Sequence, residues 1–307
     1  MSSKLLVVGT IAYDTIQTPY ARVDKIFGGS ATHIALASSK FNLDCSIISI
    51  VGNDFKKKYL ELLRGNGINT SGISISNKGK TFQWSGQYFS DMKTRKTIET
   101  QLNVLEEFEP KVTKEFSDPD ILVLANLHPE IQINTLNQIT KKPKLIVLDT
   151  MNFWIENFRS PLNKIISMVD VISINDEEAL MLTGEKSITK AVKKIINLGP
   201  KFIIVKEGHK GASLFYDEQN FFVPSFPVKE VVDPTGAGDS FIGGFVGYLA
   251  EQNQISIETM KNALVYACAM GSFIVEKFGS NNLINLSNES IKLRVNAIKE
   301  MTKFENQ

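Results

Sequence analysis

One segment of the 307-residue chain places glycines between two aspartates, in the order Asp-Pro-Thr-Gly-Ala-Gly-Asp from Asp233 to Asp239. Pro234 presets a turn, and Gly236 and Gly238 let the backbone approach a ligand without interference from a Cβ atom. A helical pattern follows, and the first amides of a helix are unsatisfied and carry partial positive charge. This arrangement suits an anion, and Asp239 could accept the proton of a hydroxyl group beside it. The same residues also fit a plain glycine turn in which the helix dipole alone favours Asp239.

The elements that must position this segment follow from short apolar runs that alternate with amphipathic stretches. The apolar runs predict buried strands at Leu5–Val8, Ser46–Val51, Ile121–Ala125, Leu145–Leu148, Val171–Ile174 and Phe202–Val205. The amphipathic stretches predict helices such as Phe55–Leu63, Ile131–Ile139 and Ile188–Leu198. This alternation indicates an α/β fold with a mostly parallel sheet flanked by helices. Ligands of such sheets bind beyond the carboxyl ends of the strands.

The region from about 77 to 109 interrupts the alternation. Thr81–Phe89 and Lys96–Thr100 resemble strands and are joined by a turn-forming Ser-Asp-Met-Lys segment, with no helix between them. This pattern predicts a β-hairpin that projects from the α/β domain. The hairpin could be a lid over the site or a surface hairpin without functional motion. We predict one domain over residues 1–307, with a lid inserted mainly from about 77–109; a contribution from 12–27 is left open.

Composition argues against several classes of function. Lys plus Arg total 34 and Asp plus Glu 33, so the net charge of +1 does not support general binding to nucleic acid or membrane surfaces. No apolar run approaches the about 20 residues that span a bilayer, and the N-terminus lacks the features of a signal peptide. Cys45 and Cys268 do not make a disulfide framework, so we expect a cytoplasmic protein. Gly9-Thr10-Ile11-Ala12 after the first strand lacks the Gly-x-Gly-x-x-Gly of dinucleotide-dependent dehydrogenases.

The longer segment Asp233–Phe245, which ends in Gly-Gly-Phe, resembles the C-terminal signature of the ribokinase-like carbohydrate kinase family, also called the PfkB family. Other segments resemble family motifs in the same order along nearly the whole chain: Gly28-Gly29, Val51–Asp54 with Leu63–Ile68, Asn175–Glu178 and Lys206–Ala212. The resemblance implies an ATP-dependent kinase that phosphorylates a hydroxymethyl oxygen of a small sugar or nucleoside. The alternative is a catalytically silent, sugar- or nucleoside-binding regulatory protein of the same fold.

The resemblance also assigns a role to individual residues at the phosphate end of the site. Asp239 would be the catalytic base, and the backbone amides of Gly236, Ala237 and Gly238 would form the anion hole for the transferred phosphoryl group. A carboxylate with a reference pKa of about 3.9 cannot deprotonate an alcohol in the ground state. Proton transfer to Asp239 should therefore come late, and positioning and electrostatics should carry most of the catalysis.

The nucleotide and its metal ion are expected to lie against three further segments. Asn175 and Glu178 would organise the nucleotide phosphates and Mg²⁺, with Glu178 as the metal-binding carboxylate. Taken alone, Asn-x-x-Glu is also a common helix-capping pattern, and both functions can coexist. Lys206, Gly208 and Gly211 would lie near the phosphates and ribose of ATP, although Lys206 could equally be a solvated lysine at a strand end. Activation by a monovalent cation occurs in parts of the family, and the sequence leaves it open.

The acceptor end of the site departs from the family pattern. The resemblance implies that Asp14 accepts hydrogen bonds from vicinal hydroxyls of the acceptor and that Gly28 and Gly29 let the backbone approach it. An asparagine usually follows the glycine pair, but this chain has His33 there, which we treat as a candidate specificity residue. The expected partner is a small-molecule sugar or nucleoside, with the protein acting as a monomer or a homodimer.

Aromatic residues lie near the predicted acceptor site. Phe82 and Trp84 belong to the hairpin, and Phe153 and Trp154 follow a predicted strand end. Flat rings could stack on a nucleobase, although packing in the core or support of the hairpin is the better explanation for any one of them. Together with the unusual His33, they make a nucleoside as strong a candidate acceptor as a simple sugar.

Overall fold

The apolar runs of the sequence become the central strands of an α/β fold in the computed structural model, which describes residues 2–303. The strands are β1 (Lys4–Val8), β2 (Ala12–Gln17), β3 (Arg22–Gly28), β4 (Asp44–Val51), β5 (Ile68–Asn69), β6 (Ile73–Ile75), β7 (Gln83–Tyr88), β8 (Arg95–Gln101), β9 (Ile121–Leu124), β10 (Leu145–Asp149), β11 (Val171–Asn175), β12 (Phe202–Lys206), β13 (Gly211–Tyr216) and β14 (Gln219–Pro224). All six strands predicted from apolar runs are present as β1, β4, β9, β10, β11 and β12.

The helices occupy the segments between these strands and the C-terminal third of the chain. They are α1 (Ser30–Ser38), α2 (Lys57–Gly65), α3 (Pro129–Asn137), α4 (Asn152–Asn157), α5 (Arg159–Ile166), α6 (Asp176–Thr183), α7 (Ile188–Ile196), α8 (Ala237–Gln252), α9 (Ile257–Ile274), α10 (Asn281–Ile284) and α11 (Asn288–Glu300). The predicted helices near 55–63, 131–139 and 188–198 correspond to α2, α3 and α7. Within residues 2–303, no helix combines the length and apolar character needed to cross a bilayer.

The main sheet has ten strands in the order β14-β13-β12-β11-β10-β9-β1-β4-β5, with β6 paired to β4. Its strands are parallel from β12 to β5, and β13 and β14 add an antiparallel edge. Alternate residues of β1 enter two separate cores: Leu5 and Val7 pack toward α1, α8 and α9, whereas Leu6 and Val8 pack toward α3, α5 and α7. The sheet is thus covered on both faces, which confirms the predicted fold class.

A second, four-stranded sheet, here called the small sheet, has the order β3-β2-β7-β8. The predicted hairpin supplies β7 and β8, and residues 12–28 supply β2 and β3. Its inner face carries Asp14, Trp84 and Tyr88; the Tyr88 hydroxyl lies 3.1 Å from the Thr235 hydroxyl of the glycine-rich segment. Gln83, Ser85 and other polar residues of the opposite, outer face line a shallow groove of about 380 Å³.

Close packing between α1 and α8 fixes the helix that begins with the glycine-rich segment. A Cβ atom built on Gly243 of α8 would lie 2.5 Å from the carbonyl oxygen of Ile34 and 2.6 Å from the Cβ of Ala37. The two backbones therefore approach more closely than any side chain at position 243 would allow. This approach holds α8 against the same helix that carries His33.

We expect Gly243→Ala to lower the free energy of unfolding by about 1–3 kcal/mol, because the added methyl group overpacks the α1–α8 contact. Gly65→Ala is the matched control, since no atom lies within 4 Å of a Cβ at that helical position. That substitution should leave stability unchanged or raise it by up to about 1 kcal/mol. Urea denaturation of both variants measures the difference, and equal stabilities would contradict the close packing.

Candidate active site

The segment Asp233–Asp239, here called the glycine loop, is tied down by the first of its two aspartates. Asp233 is 1% exposed, and its carboxylate accepts hydrogen bonds from the amides of Thr235 (2.9 Å) and Gly279 (3.1 Å). Gly236 has φ 78° and ψ 4°, a left-handed conformation that favours glycine, and α8 begins directly after it. The glycine loop is therefore a turn that is fixed by hydrogen bonds and leads directly into α8.

The three predicted anion-hole amides differ in their present hydrogen bonds. The amide of Ala237 donates to the carbonyl oxygen of Pro234 at 3.2 Å. Within residues 2–303, the amides of Gly236 and Gly238 have no backbone acceptor. Together with the partial positive charge at the start of α8, these two free donors can bind an oxyanion, which is the chemistry predicted for them.

Three neighbouring strands of the main sheet end in polar residues beside the glycine loop. Asp149, Asn175 and Lys206 are the last residues of β10, β11 and β12, which are parallel and adjacent. The Nζ atom of Lys206 lies 3.3 Å from Oδ1 of Asp149, and a Cβ on Gly238 would lie 3.2 Å from the same Nζ. The carboxyl edge of the sheet therefore presents an ion pair to the start of α8, where ligands of this fold class bind.

Burial and neighbouring charges alter the protonation of this site. Burial and the negative charge of Asp149 raise the pKa of Asp239 to about 7, although Lys206 and Arg95 oppose the shift. Burial acts to lower the pKa of Lys206, but Asp149, Glu178 and Asp239 together outweigh it and keep the ammonium group charged. A carboxylate whose pKa lies near neutrality is a better proton acceptor than an ordinary aspartate, as a general base requires.

Asn175 and Glu178 form a capping box at the start of α6. Oδ1 of Asn175 accepts from the amide of Glu178 at 2.7 Å, and Oε2 of Glu178 accepts from the amide of Asn175 at 3.0 Å. Burial raises the pKa of Glu178, and the positive charge of Lys206 opposes this rise. The other carboxylate oxygen, Oε1, makes no hydrogen bond within the described residues, so the capping function and the predicted metal-binding function are compatible.

The donor set of the site fits a hydrated magnesium ion bound together with a nucleotide. Residues 2–303 contain no cluster of three or more acidic, histidine or cysteine ligands, so no preformed protein cage is present. Mg²⁺ characteristically keeps several waters and uses one or two carboxylates together with substrate phosphates. Glu178 can supply such a carboxylate, and Asp149 adds negative charge beside it.

Asp14 lies at the acceptor end of the site. It is 5% exposed on β2, and a Cβ on Gly28 would fall 1.9 Å from its Oδ2, so the glycine leaves the space that the carboxylate occupies. Burial, followed by the negative charges of Asp233 and Asp239, raises the pKa of Asp14 to about 7, while the amide of Gly29 opposes this shift. The structure thus brings Asp14, Gly28 and Gly29 together and places them within electrostatic reach of Asp239.

His33 lies behind the glycine loop on α1. Its ring is 2% exposed, its Nδ1 is 4.0 Å from Oδ2 of Asp239, and a Cβ on Gly236 would overlap the ring at 2.5 Å. Burial lowers the pKa of His33 to about 4, so the ring is neutral at physiological pH. The ring contacts the glycine loop, and its contact with the acceptor stays a prediction.

Gly208 and Gly211 lie farther along the chain from Lys206, in a short 3₁₀ turn and at the start of β13. A Cβ on Gly211 would lie 2.0 Å from the Val223 carbonyl oxygen, so the close pairing of β13 with β14 requires a glycine at this position. Gly208 has open space around it, with no atom within 4 Å of a Cβ. The predicted role of both glycines near ATP remains a prediction.

The aromatic residues occupy different places. Trp84 lies on the inner face of the small sheet, where it is paired with Asp14 across β2 and β7. Phe82 packs against the core, and Trp154 donates from Nε1 to Oδ1 of Asn126 at 2.7 Å within a cluster that includes Phe153. Of the four rings, Trp84 is the one that shares the inner face with Asp14.

Two residues of the site were not assigned a role from the sequence. Asp149 could have been recognised because it directly follows a buried apolar run, where parallel strands place polar ligand-binding groups. Arg95 carried no such signal, because its position depends on how β8 pairs with β7 and on the fold of the small sheet over the glycine loop.

Comparison with known proteins gives the family. Residues 2–286 match the model described as pfkB family carbohydrate kinase. The chain belongs to the PfkB family. A cytidine kinase of Thermococcus kodakarensis is 31% identical over 251 residues, which cover 80% of this chain and 88% of that protein. PfkB membership makes this chain an ATP-dependent sugar or nucleoside kinase, and nothing in the comparisons supports the catalytically silent alternative.

Solved structures share the fold at lower sequence identity. The nucleoside kinase of Burkholderia thailandensis in complex with inosine superposes with a TM-score of 0.78 at 19% identity, over 96% of this chain and 98% of that one. An E. coli chain provisionally called ribokinase II, in complex with ATP and Mg²⁺, gives a TM-score of 0.78 at 22% identity, over 96% of this chain and 99% of that one. These structures confirm the ribokinase-like fold.

We expect Asp239→Asn to stabilise the folded protein, and to do so more strongly as pH rises. An aspartate with a pKa near 3.8 when unfolded and about 7 when folded loses stability between these values, because only the unfolded state releases its proton there. The advantage of the variant should therefore grow by about 2–3 kcal/mol from pH 5 to pH 8, at about 1.4 kcal/mol per pH unit. Denaturant unfolding of both proteins at the two pH values tests this, and a constant difference would contradict the raised pKa.

Proposed function

We propose that the acceptor of this kinase is a nucleoside, phosphorylated at the hydroxymethyl oxygen of its ribose. The observation that carries the proposal is the pairing of Asp14 with Trp84 on neighbouring strands of the inner face. A carboxylate can accept two vicinal hydroxyls, as on a ribose ring, and an indole can stack on a flat base. The cytidine kinase and nucleoside kinase named among the relatives support the same class of acceptor.

The proposed reaction uses the residues of the glycine loop in their predicted roles. Asp239 takes the proton of the acceptor hydroxyl as its oxygen attacks the γ-phosphorus, and ADP leaves from the opposite side. The free amides of Gly236 and Gly238 stabilise the charge on the transferred phosphoryl group, and Ala237 would join them if its bond to Pro234 opened. Lys206 keeps positive charge beside Asp239 during the transfer.

We further propose that Glu178 and Asn175 hold Mg²⁺ together with the nucleotide phosphates. The bound ion would neutralise phosphate charge in a site that already contains several carboxylates. Gly208 and Gly211 would border the ribose of ATP, and residues 1–307 would form one kinase domain. The small sheet would act as its lid, built mainly from about 77–109 with a contribution from 12–27.

A substrate panel tests the acceptor. We expect nucleosides to show kcat/KM at least about 10-fold above free ribose and fructose in an ADP-release assay, since the base adds contacts that a sugar lacks. The matched control is a 5′-deoxynucleoside, which keeps the base and the vicinal hydroxyls but should give no turnover. A preference for a free sugar over every nucleoside would overturn the proposal.

Substitution of the catalytic base tests the mechanism. We expect Asp239→Asn to reduce kcat by at least about 100-fold while the binding of ATP persists, because proton acceptance is lost and the positive charges around the phosphates remain. Asp118→Asn is the control, since that exposed carboxylate pairs with Lys4 on the surface. Turnover of Asp239→Asn equal to that of the control would refute the role of Asp239.

A further inference from the structure

Two arginines of the small sheet lie in opposite surroundings. Arg22 on β3 is paired with Asp24, with Nη2 2.9 Å from Oδ1, and both residues line the groove of the outer face. Arg95, at the start of β8, has no carboxylate at ion-pair distance within residues 2–303. Its guanidinium instead lies 5.4 Å from the centre of the Trp84 ring. The charge of Arg22 is therefore neutralised locally, whereas the charge of Arg95 is available to a ligand.

The pairing of β7 with β8 places Arg95 over the glycine loop. Arg95 is directly opposite Tyr88, whose hydroxyl lies 3.1 Å from that of Thr235. A Cβ on Gly86 would lie 2.1 Å from the Trp84 indole, so this glycine lets the indole lie flat across β7. The guanidinium carbon lies 5.4 Å from the centre of the indole ring, within the range of a cation–π contact. The contact with Trp84 uses none of the N–H groups of Arg95, and a side-chain hydrogen bond with Tyr88, which acts to lower the pKa of that hydroxyl, directs Arg95 toward the glycine loop.

The charge of Arg95 reaches the catalytic carboxylates. Burial raises the pKa values of Asp239 and Glu178, and the positive charge of Arg95 is one of the influences that oppose both shifts. Lys206 acts on the same two carboxylates from the edge of the main sheet. The two cations therefore approach one region from different sheets, with the free amides of the glycine loop beside it.

We propose that Arg95 is a catalytic residue that binds an oxygen of the phosphoryl group while it passes from ATP to the acceptor. A guanidinium stays protonated and can donate two parallel hydrogen bonds to a phosphoryl group. The transferred group carries its charge on three equatorial oxygens, so a cation on the small sheet adds stabilisation that Lys206 cannot supply from the opposite side. The proposal rests on the kinase activity but not on the identity of the acceptor.

A phosphate ester already present on an acceptor would offer the same chemistry to Arg95. The neighbours of Arg95 favour the nucleotide as the source, because Asp239, Glu178 and the glycine loop are the predicted phosphoryl-transfer residues. An acceptor without a phosphate ester distinguishes the two sources. If Arg95 serves the transferred phosphoryl group, its removal must impair the reaction of such an acceptor.

The test compares Arg95→Ala, Arg95→Lys and the matched control Arg22→Ala with the unphosphorylated acceptor that the substrate panel identifies. We expect Arg95→Ala to lower kcat and the single-turnover rate about 100- to 1,000-fold, with the KM of the acceptor changed less than about 3-fold. Arg95→Lys should fall between this variant and the wild type, because it keeps the charge but loses the planar fork. Arg22→Ala should retain wild-type rates.

Thermal unfolding of each variant, measured beside the kinetics, separates loss of fold from loss of function. Arg95→Ala with rates within about 2-fold of Arg22→Ala would overturn the proposal. A raised acceptor KM at unchanged kcat, or a defect confined to phosphorylated acceptors, would also overturn it. Either result would mean that Arg95 binds the acceptor rather than the transferred phosphoryl group. A sugar preference in the panel leaves this test intact, so the acceptor proposal and the role of Arg95 fail separately.

Discussion

The buried ion pair between Lys206 and Asp149 is the interaction on which the site depends. An ammonium group is costly to bury without partners, and removal of one member of such a pair costs about 3–5 kcal/mol because the other charge is left uncompensated. Their 3.3 Å contact requires β10 and β12 to end level with each other on either side of β11. Parallel strands make this alignment possible, and Gly238 leaves room for Lys206 to approach the start of α8.

A second constraint joins the fold to the site through α1. The ring of His33 contacts Gly236 from behind, and Gly243 keeps the backbone of α8 against α1 farther along the same helix. The glycine loop is therefore held by packing from below, and by Asp233, which accepts hydrogen bonds from Thr235 and Gly279 at its side. Preorganised amides can stabilise charge without a reorganisation cost at the moment of reaction.

The sequence predicted those features that depend on local pattern. Apolar runs placed the six central strands, and the family resemblance assigned Asp239, Glu178 and Lys206 to the phosphate end of one site. Local pattern carried less information about β2 and β3, whose burial depends on their pairing in the small sheet. The role of Arg95 was not predicted for the same reason. The surroundings of an arginine in an exposed strand depend on the partner strand and on the nearby Trp84. The burial of His33 likewise depends on α8, about 200 residues away in the chain.

Proton acceptance and phosphate binding place opposite demands on this site. Burial and the negative charge of Asp149 raise the pKa of Asp239 to about 7 and so make it a better base, yet the same carboxylates repel the phosphates of ATP. Positive charge placed directly against Asp239 would remove the repulsion but also lower its basicity. Two cations on different sheets meet both demands, because Lys206 is paired with Asp149 and Arg95 lies 5.4 Å from the centre of the Trp84 ring, away from direct contact with Asp239. Phosphates that draw both cations toward themselves would leave Asp239 free to accept the proton as transfer proceeds.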